Sequence, residues 1–224
     1  MDPQAILPLW HNSPEYLDFL AVPASYRSTT RARRALLAAA ALQGGYFTAQ
    51  QAASVGYSKQ HVHYHTRTGN FERVGRGLYR LPDLPVSEHD DLIRLSLWSR
   101  GSEDRPIAVL SHETALRMHD LGDVLPEKVH LTVPPGFRKP CPKGCVLHRA
   151  WLSESDREHH DGFQVTTPLR TLLDIAAGSV PRNQVEKALR EAVRRGLIRR
   201  SQIASGGAGH PGRDALLGML RSAA

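Results

Sequence analysis

Residues 44–82 read GGYFTAQQAASVGYSKQHVHYHTRTGNFERVGRGLYRLP, and this stretch decides the fold of the N-terminal part of the chain. Its first half predicts two short helices, Ala49–Val55 and Lys59–Thr68, each followed by a glycine that ends it. Thr48 and Ser58 stand just before these helices, where a side-chain oxygen can accept a hydrogen bond from the first turn. The two helices are only a few residues apart, as a helix-turn-helix requires.

The second half of the stretch predicts a β-hairpin. Two strand-like runs, FERV and LYRL, flank the tight turn Gly75–Gly77. Upstream, residues 31–42 (RARRALLAAAAL) consist of strong helix formers. The order helix, helix, helix, hairpin predicts a winged helix-turn-helix over residues 31–82.

The rest of the chain predicts an α+β fold in which the winged helix is followed by a mixed α/β domain. Residues 1–30 contain four prolines and read as an N-terminal arm. Residues 81–85 (LPDLP) form a natural linker to a second domain at residues 86–204, where helical and strand-like runs are mixed. Residues 205–224 begin with a glycine-rich run and predict a flexible tail with a short helix.

Charge is concentrated in the predicted winged helix. Residues 27–80 contain nine arginines and lysines and one carboxylate, Glu72, for a local charge of +8 against +7 for the whole chain. A charge imbalance confined to one segment is the electrostatic signature of a protein that binds a polyanion. No apolar run is long enough for a membrane helix, and no signal peptide is visible, so we expect a cytoplasmic protein with no membrane partner.

The third predicted helix is the candidate recognition helix. Lysine and arginine can read guanine edges, and glutamine can pair with adenine, so its outward side chains have the right chemistry for the major groove. The hairpin supplies further arginines, with Arg76 at the tip between two glycines. The predicted DNA-binding residues are Ser58, Lys59, Gln60, His63, Tyr64, Arg67, Arg73, Arg76 and Arg80.

Several groups of histidine and cysteine residues resemble metal-binding sites, but each has too few ligands. His61, His63 and His65 alternate in sequence, and only the first and last share a helical face. Cys141 and Cys145 with His148, and His130 as a distant fourth ligand, do not give the paired spacing of a zinc site. We therefore predict no metal, no cofactor and two free thiols.

A polar cluster at Asp156, Glu158, His159, His160 and Asp161 leaves a metal-dependent nuclease open as an alternative. The simpler interpretation is a solvated loop, and no other catalytic motif is present. We predict that the protein is not an enzyme.

A second basic surface is predicted on a helix near residue 190, with leucine and valine on its opposite face. It is open whether these cations contact DNA, RNA or an acidic protein, or only keep the helix soluble. The residues are Arg190, Arg194, Arg195 and Arg199.

The segment Leu36–Pro82 resembles the N-terminal winged-helix domain of AbiEi-type antitoxins of type IV toxin–antitoxin systems. Later stretches fit the same family: LSHETALRMHDLGDVLPEKVHLTVP from Leu110, GFQVTTPLRTLLDIA from Gly162, and VEKALREAVRRGLI from Val185. The resemblance covers roughly residues 35–204. By this resemblance, residues 59–67 form the recognition helix and Arg76–Gly77 form the wing.

The resemblance implies an autorepressor that binds operator repeats in its own promoter, with double-stranded DNA as partner. It also implies that the second domain counters a nucleotidyltransferase-type toxin. The main alternative is a transcriptional regulator whose second domain senses a small molecule.

Overall fold

The computed structural model describes residues 24–160 and 162–222. The chain divides between Val86 and Ser87 into two compact units. Helices and two β-sheets build these units, so the predicted α+β fold class is confirmed. None of the helices in the described ranges is long and apolar enough to cross a membrane.

The N-terminal unit has the architecture of a winged helix-turn-helix. Its three short strands form one antiparallel sheet in the order β1-β3-β2, with Phe47 opposite Tyr79. The elements in chain order are α1 (Ala24–Ala41), β1 (Tyr46–Thr48), α2 (Ala49–Ser54), α3 (Lys59–Arg67), β2 (Glu72–Gly75) and β3 (Leu78–Arg80).

The helix starts predicted from the sequence are present as capped termini. The Thr48 hydroxyl accepts from the Gln51 amide at 3.0 Å, and the Gln51 side chain accepts from the Thr48 amide at 2.8 Å. This reciprocal pair is a capping box. Ser58 caps α3 by accepting from the His61 amide at 3.2 Å. The chain reverses between the two helices at Gly56, whose φ of +104° favours glycine.

A small aromatic core holds α3 in place. Phe47 is fully buried, and its ring lies 4.9 Å from Phe71 in a T-shaped contact. Leu36 of α1 and Val62 of α3 are buried in the same cluster. One face of α3 is therefore fixed against the unit, and its other face is left to solvent.

The first helix begins earlier than the sequence predicts. Residues 1–23 of the predicted arm lie outside the described residues, but α1 starts at Ala24 and not at residue 31. The first helix therefore begins within the segment that the sequence analysis assigned to the arm. Residues 24–30 contain no proline or glycine, so the helix predicted from residue 31 can extend backwards through them.

The C-terminal unit surrounds a five-stranded mixed sheet in the order β6-β5-β4-β8-β7. Its helices are α4 (Asp90–Trp98), α5 (His112–Met118), α6 (Pro168–Ala177), α7 (Arg182–Arg194), α8 (Arg200–Gly206) and α9 (Arg213–Ser222). Its strands are β4 (Val109–Leu110), β5 (Val129–Val133), β6 (Cys145–Arg149), β7 (Arg157–His160) and β8 (Phe163–Thr166).

The short helix predicted near the C-terminus is present as α9, but the segment after residue 204 is packed on the unit and does not form the predicted flexible tail. Helix α8 runs through Gly206, and α9 packs on the helical core with Leu216 fully buried and Met219 nearly so. Its apolar residues recur at helical spacing, which is the pattern of a helix that buries one face. The C-terminal unit thus includes residues that the sequence assigned to a tail.

Candidate nucleic-acid interface

The outward face of α3 collects most of the predicted recognition residues on one surface. Tyr64 is 62% exposed there, although it is a large aromatic side chain. These side chains line a shallow depression of about 480 Å³. Its lining residues are Lys59, Gln60, His63, Tyr64, Arg67 and Thr68. Ser58 is exposed at the start of the helix, where its hydroxyl serves as the N-cap.

The opposite face of α3 is built for packing. Val62 is 6% exposed, and the His65 ring lies 4.8 Å from Phe71 and 5.7 Å from Tyr57. Burial, followed by the positive charges of His61 and Arg33, lowers the pKa of His65. A neutral imidazole suits this aromatic contact. The helix therefore presents one set of residues outward because the other set is held in the core.

The wing is fixed to the helix-turn-helix by backbone contacts. Gly77 adopts φ +64°, which lets the hairpin turn tightly after Arg76. The Gly77 carbonyl accepts from the amide of Ala49, the first residue of α2, at 3.0 Å. Arg73 and Arg76 are both exposed on this hairpin. The hydrogen bond between Ala49 and Gly77 fixes the position of the wing relative to helices α2 and α3.

Arg80 does not belong to this surface, so its predicted DNA contact is corrected. It is 8% exposed, and its guanidinium donates to the Leu84 carbonyl. Arg80 lies in β3, which is paired on both sides by β1 and β2. In the centre of a sheet, its side chain packs inward to hold the segment after the hairpin.

The electrostatics of the surface favour a polyanion. Lys59, Arg67 and Arg73 are exposed, and none of them forms an ion pair with a described residue. Glu72 is the only carboxylate between residues 27 and 80. Because only this one carboxylate accompanies the nine cations of the segment and none of these three side chains is paired with it, the positive charges are available to phosphates.

Of the candidate zinc ligands, His130 and His148 are in contact, but no complete metal site forms among the described residues. No group of three or more histidine, cysteine, aspartate or glutamate side chains in the described ranges is arranged to hold a metal. Cys141 and Cys145 are free thiols, as predicted. Burial, and then the neighbouring Cys141, raises the pKa of the Cys145 thiol. His148 contacts other histidines, as described below.

The polar cluster predicted as a solvated loop is a short 3₁₀ turn followed by the edge strand β7, so the loop prediction is wrong. Asp156 accepts from the Ser153 amide at 2.8 Å and pairs with Arg170 at 3.3 Å. His159 and His160 lie on β7 and are exposed. Asp161 lies outside the described residues. Pairing with β8 explains the strand, since an edge strand can carry polar residues on its open side.

The predicted second basic surface is divided in the structure. Arg190 and Arg194 line a groove on α7 together with Arg200. Arg195 donates to the backbone carbonyls of His119 and Asp120 and so has a structural role. Arg199 stands before α8, with its amide bonded to the Gln202 side chain at 2.6 Å.

From the sequence, His130 and His148 are only candidate zinc ligands, and sequence reasoning missed the cluster that they form with His112 in the C-terminal unit. The His112 and His148 rings stack at 3.5 Å, and His130 Nδ1 lies 3.0 Å from His148 Nε2. Glu113 pairs with His130 at 2.9 Å. The residues come from α5, β5 and β6, so no local spacing in the sequence announces them. Parallel pairing of β5 with β6 places His130 and His148 near each other.

This cluster borders a cavity of about 480 Å³. Asp174 also borders it, accepting from Arg170 Nε at 2.9 Å and lying 3.1 Å from His210 Nε2. All of these bonds involve Asp174 Oδ1, whereas the buried Oδ2 has no hydrogen-bond partner among the described residues. A cavity lined by both polar and apolar side chains, with an unsatisfied acceptor beside it, has the features of a small-molecule site.

Comparison with known proteins finds a family model that matches part of the N-terminal unit. Residues 34–82 match the family model described as "Transcriptional regulator, AbiEi antitoxin", which confirms the resemblance predicted from the sequence for this segment. Among solved structures, the RV2827C protein from Mycobacterium tuberculosis is similar in fold, with a TM-score of 0.53 at 16% identity. The alignment covers 88% of this chain and 78% of that one. The comparison with curated proteins found no match.

Proposed function

We propose that this chain, whose residues 34–82 match the family model of AbiEi transcriptional regulators, is an antitoxin that binds its own promoter and represses its operon. The observation that carries the proposal is the outward face of α3. It presents Lys59, Gln60, His63, Tyr64 and Arg67 side by side, while Val62 anchors the helix from behind. The proposed place of action is the cytoplasm, where the promoter DNA lies.

In the proposed complex, α3 enters the major groove and the wing contacts the neighbouring backbone. Lys59, Gln60 and Arg67 supply base-reading groups, and Arg73 and Arg76 neutralise phosphates. Repeated half-sites are the proposed target, filled by two copies of the chain. The DNA-binding set is now Ser58, Lys59, Gln60, His63, Tyr64, Arg67, Arg73 and Arg76, without Arg80.

A titration of the chain with labelled promoter DNA tests this proposal. Replacing Arg67 or Lys59 by alanine is expected to cost about 1–3 kcal/mol on the operator, because a base contact is lost. Replacing Arg76 by alanine is expected to weaken all duplexes alike and to reduce the salt slope by about 1, the effect of one phosphate contact. Arg117→Ala, an exposed arginine of the C-terminal unit, is the matched control. Parent-like binding by all the α3 and wing variants would refute the site.

The antitoxin part of the proposal concerns the C-terminal unit and a nucleotidyltransferase-type toxin. Its test is co-expression of this chain with the product of the adjacent gene. Rescue of growth by the full chain, and equally by the Arg67→Ala variant with its weakened DNA binding, would support an antitoxin activity separate from repression. We also propose that the chain has no catalytic activity of its own. Divalent-dependent cutting of plasmid DNA by the pure protein would contradict this.

A ligand-sensing regulator is the second candidate function, and the cavity beside Asp174 favours it. The unsatisfied Asp174 Oδ2 would accept a hydrogen bond from a hydroxyl or amino group of a ligand. A small molecule retained by the purified protein and released on denaturation would support this function, provided that adding it changes operator affinity.

A further inference from the structure

A groove on the C-terminal unit combines an apolar floor with a basic rim. It lies between α7 and α9 and has a volume of about 360 Å³. Leu189 and Met219 of the floor are largely buried, whereas Val193 and Leu220 are half-buried. Three exposed arginines, Arg190, Arg194 and Arg200, form the rim. We call this feature the arginine-rimmed groove.

The rim arginines differ from the other cations of α7. Arg182 pairs with Glu186 at 2.8 Å, and Lys187 pairs with Asp123. By contrast, the side chains of the rim arginines make no hydrogen bond or ion pair with any residue in the described ranges. Among the described residues, Glu186 is the one carboxylate that lines the groove, and Arg182 already neutralises it.

The rim arginines repel one another electrostatically in the isolated chain. Arg190 and Arg194 are four residues apart on one helix, which places two positive charges next to each other. Such a pair destabilises a helix slightly unless an anion lies between the charges. An acidic partner would remove this repulsion and gain two charge-assisted hydrogen bonds.

The apolar floor decides which class of anion fits. Phosphates of DNA or RNA need cations but gain nothing from the exposed parts of Val193 and Leu220. An amphipathic protein helix gains from both, because its leucines lie on the floor while its carboxylates meet the rim. We infer that the arginine-rimmed groove is a docking site for an acidic amphipathic helix of a partner protein. This inference does not depend on DNA binding by α3.

The test uses the full chain and three synthetic helical peptides of about 14 residues, long enough to cross the groove. The first has leucines on one face and glutamates on its flanks, the second has lysines for the glutamates, and the third has serines for the leucines. Fluorescence anisotropy is expected to show binding of the first peptide alone. Arg190→Glu/Arg194→Glu is expected to weaken that binding by at least about tenfold, since two charge pairs become repulsive.

The matched control is Arg117→Glu/Arg138→Glu, which changes the net charge equally at exposed arginines outside the groove. Circular dichroism on both double variants checks folding. Failure of the acidic leucine peptide to bind would overturn the inference, as would equal binding by the two double variants. Equal binding of the serine peptide, or weaker operator binding by the Arg190/Arg194 variant but not by the control, would also overturn it. Failure of the α3 variants to alter DNA affinity would leave this result untouched, so the two proposals fail separately.

Discussion

Acidification should destabilise the C-terminal unit through His112. Burial, followed by the charge of His148, lowers the pKa of His112 from 6.5 to about 4, and His130 adds to this. Asp174 and Glu113 oppose the shift but do not cancel it. His112 also has φ +51°, so the fold holds this residue in an uncommon backbone conformation.

The sign and size of the effect follow from proton linkage. The folded chain keeps His112 neutral, whereas the unfolded chain takes up a proton as the pH falls below 6.5. The stability is therefore fully present above that pH and is lost progressively down to about 4. The loss amounts to about 2 kcal/mol at pH 5 and about 3 kcal/mol at the acid limit.

The assay is urea unfolding at several pH values between 7.5 and 5, followed by tryptophan fluorescence. Trp98, in T-shaped contact with Phe137, reports on the C-terminal unit. His112→Asn removes the titrating ring and keeps a residue that tolerates positive φ. The variant should be less stable than the parent at pH 7.5, but the difference should shrink by about 2 kcal/mol at pH 5.

His159→Asn, which removes an exposed histidine from the same unit, controls for the loss of an imidazole in general. Parallel loss of stability in the parent and His112→Asn between pH 7.5 and 5 would refute the reasoning. That result would mean that His112 takes up its proton without cost in the folded chain.

Three further predictions concern packing, the wing and a buried charge. Val62→Ala should lower the free energy of unfolding of the N-terminal unit by about 2 kcal/mol, read from a urea melt, because Val62 is buried behind α3. Gly77→Ala should cost about 1–2 kcal/mol, since φ is +64° there, whereas Gly136→Ala, at a glycine with open space around it, should cost less in the same melt. Asp174→Ala should cost about 3 kcal/mol by chemical unfolding, because it leaves the buried Arg170 without its closest carboxylate, and an unchanged midpoint would contradict this.

The N-terminal unit was predictable because its signals are local. Thr48 and Ser58 cap their helices through contacts three residues away, and Gly56 turns the chain with no help from distant residues. The outward face of α3 followed from helical periodicity, and the burial of Val62 on the opposite face agrees with it. These features depend on neighbours in sequence, which pattern analysis can see.

What the sequence did not reveal depends on partners far along the chain. The β7 segment Arg157–His160 is polar and becomes a strand only because β8 pairs with it. Arg80 looks like a wing arginine until β1 pairs with β3 and the side chain is enclosed. The histidine cluster is likewise assembled by the pairing of β5 with β6. Tertiary context overrides local propensity in each case.

The hydrogen bond from Ala49 to Gly77 has a consequence for the entropy of recognition. It joins the hairpin to the start of α2, so the proposed DNA-reading surface is assembled before any duplex arrives. A preassembled reader loses little conformational freedom on association, and more of its contact energy remains as affinity. If this hairpin were transplanted onto another helix-turn-helix, the hydrogen bond to the Gly77 carbonyl would have to be preserved as well as the arginine at the tip.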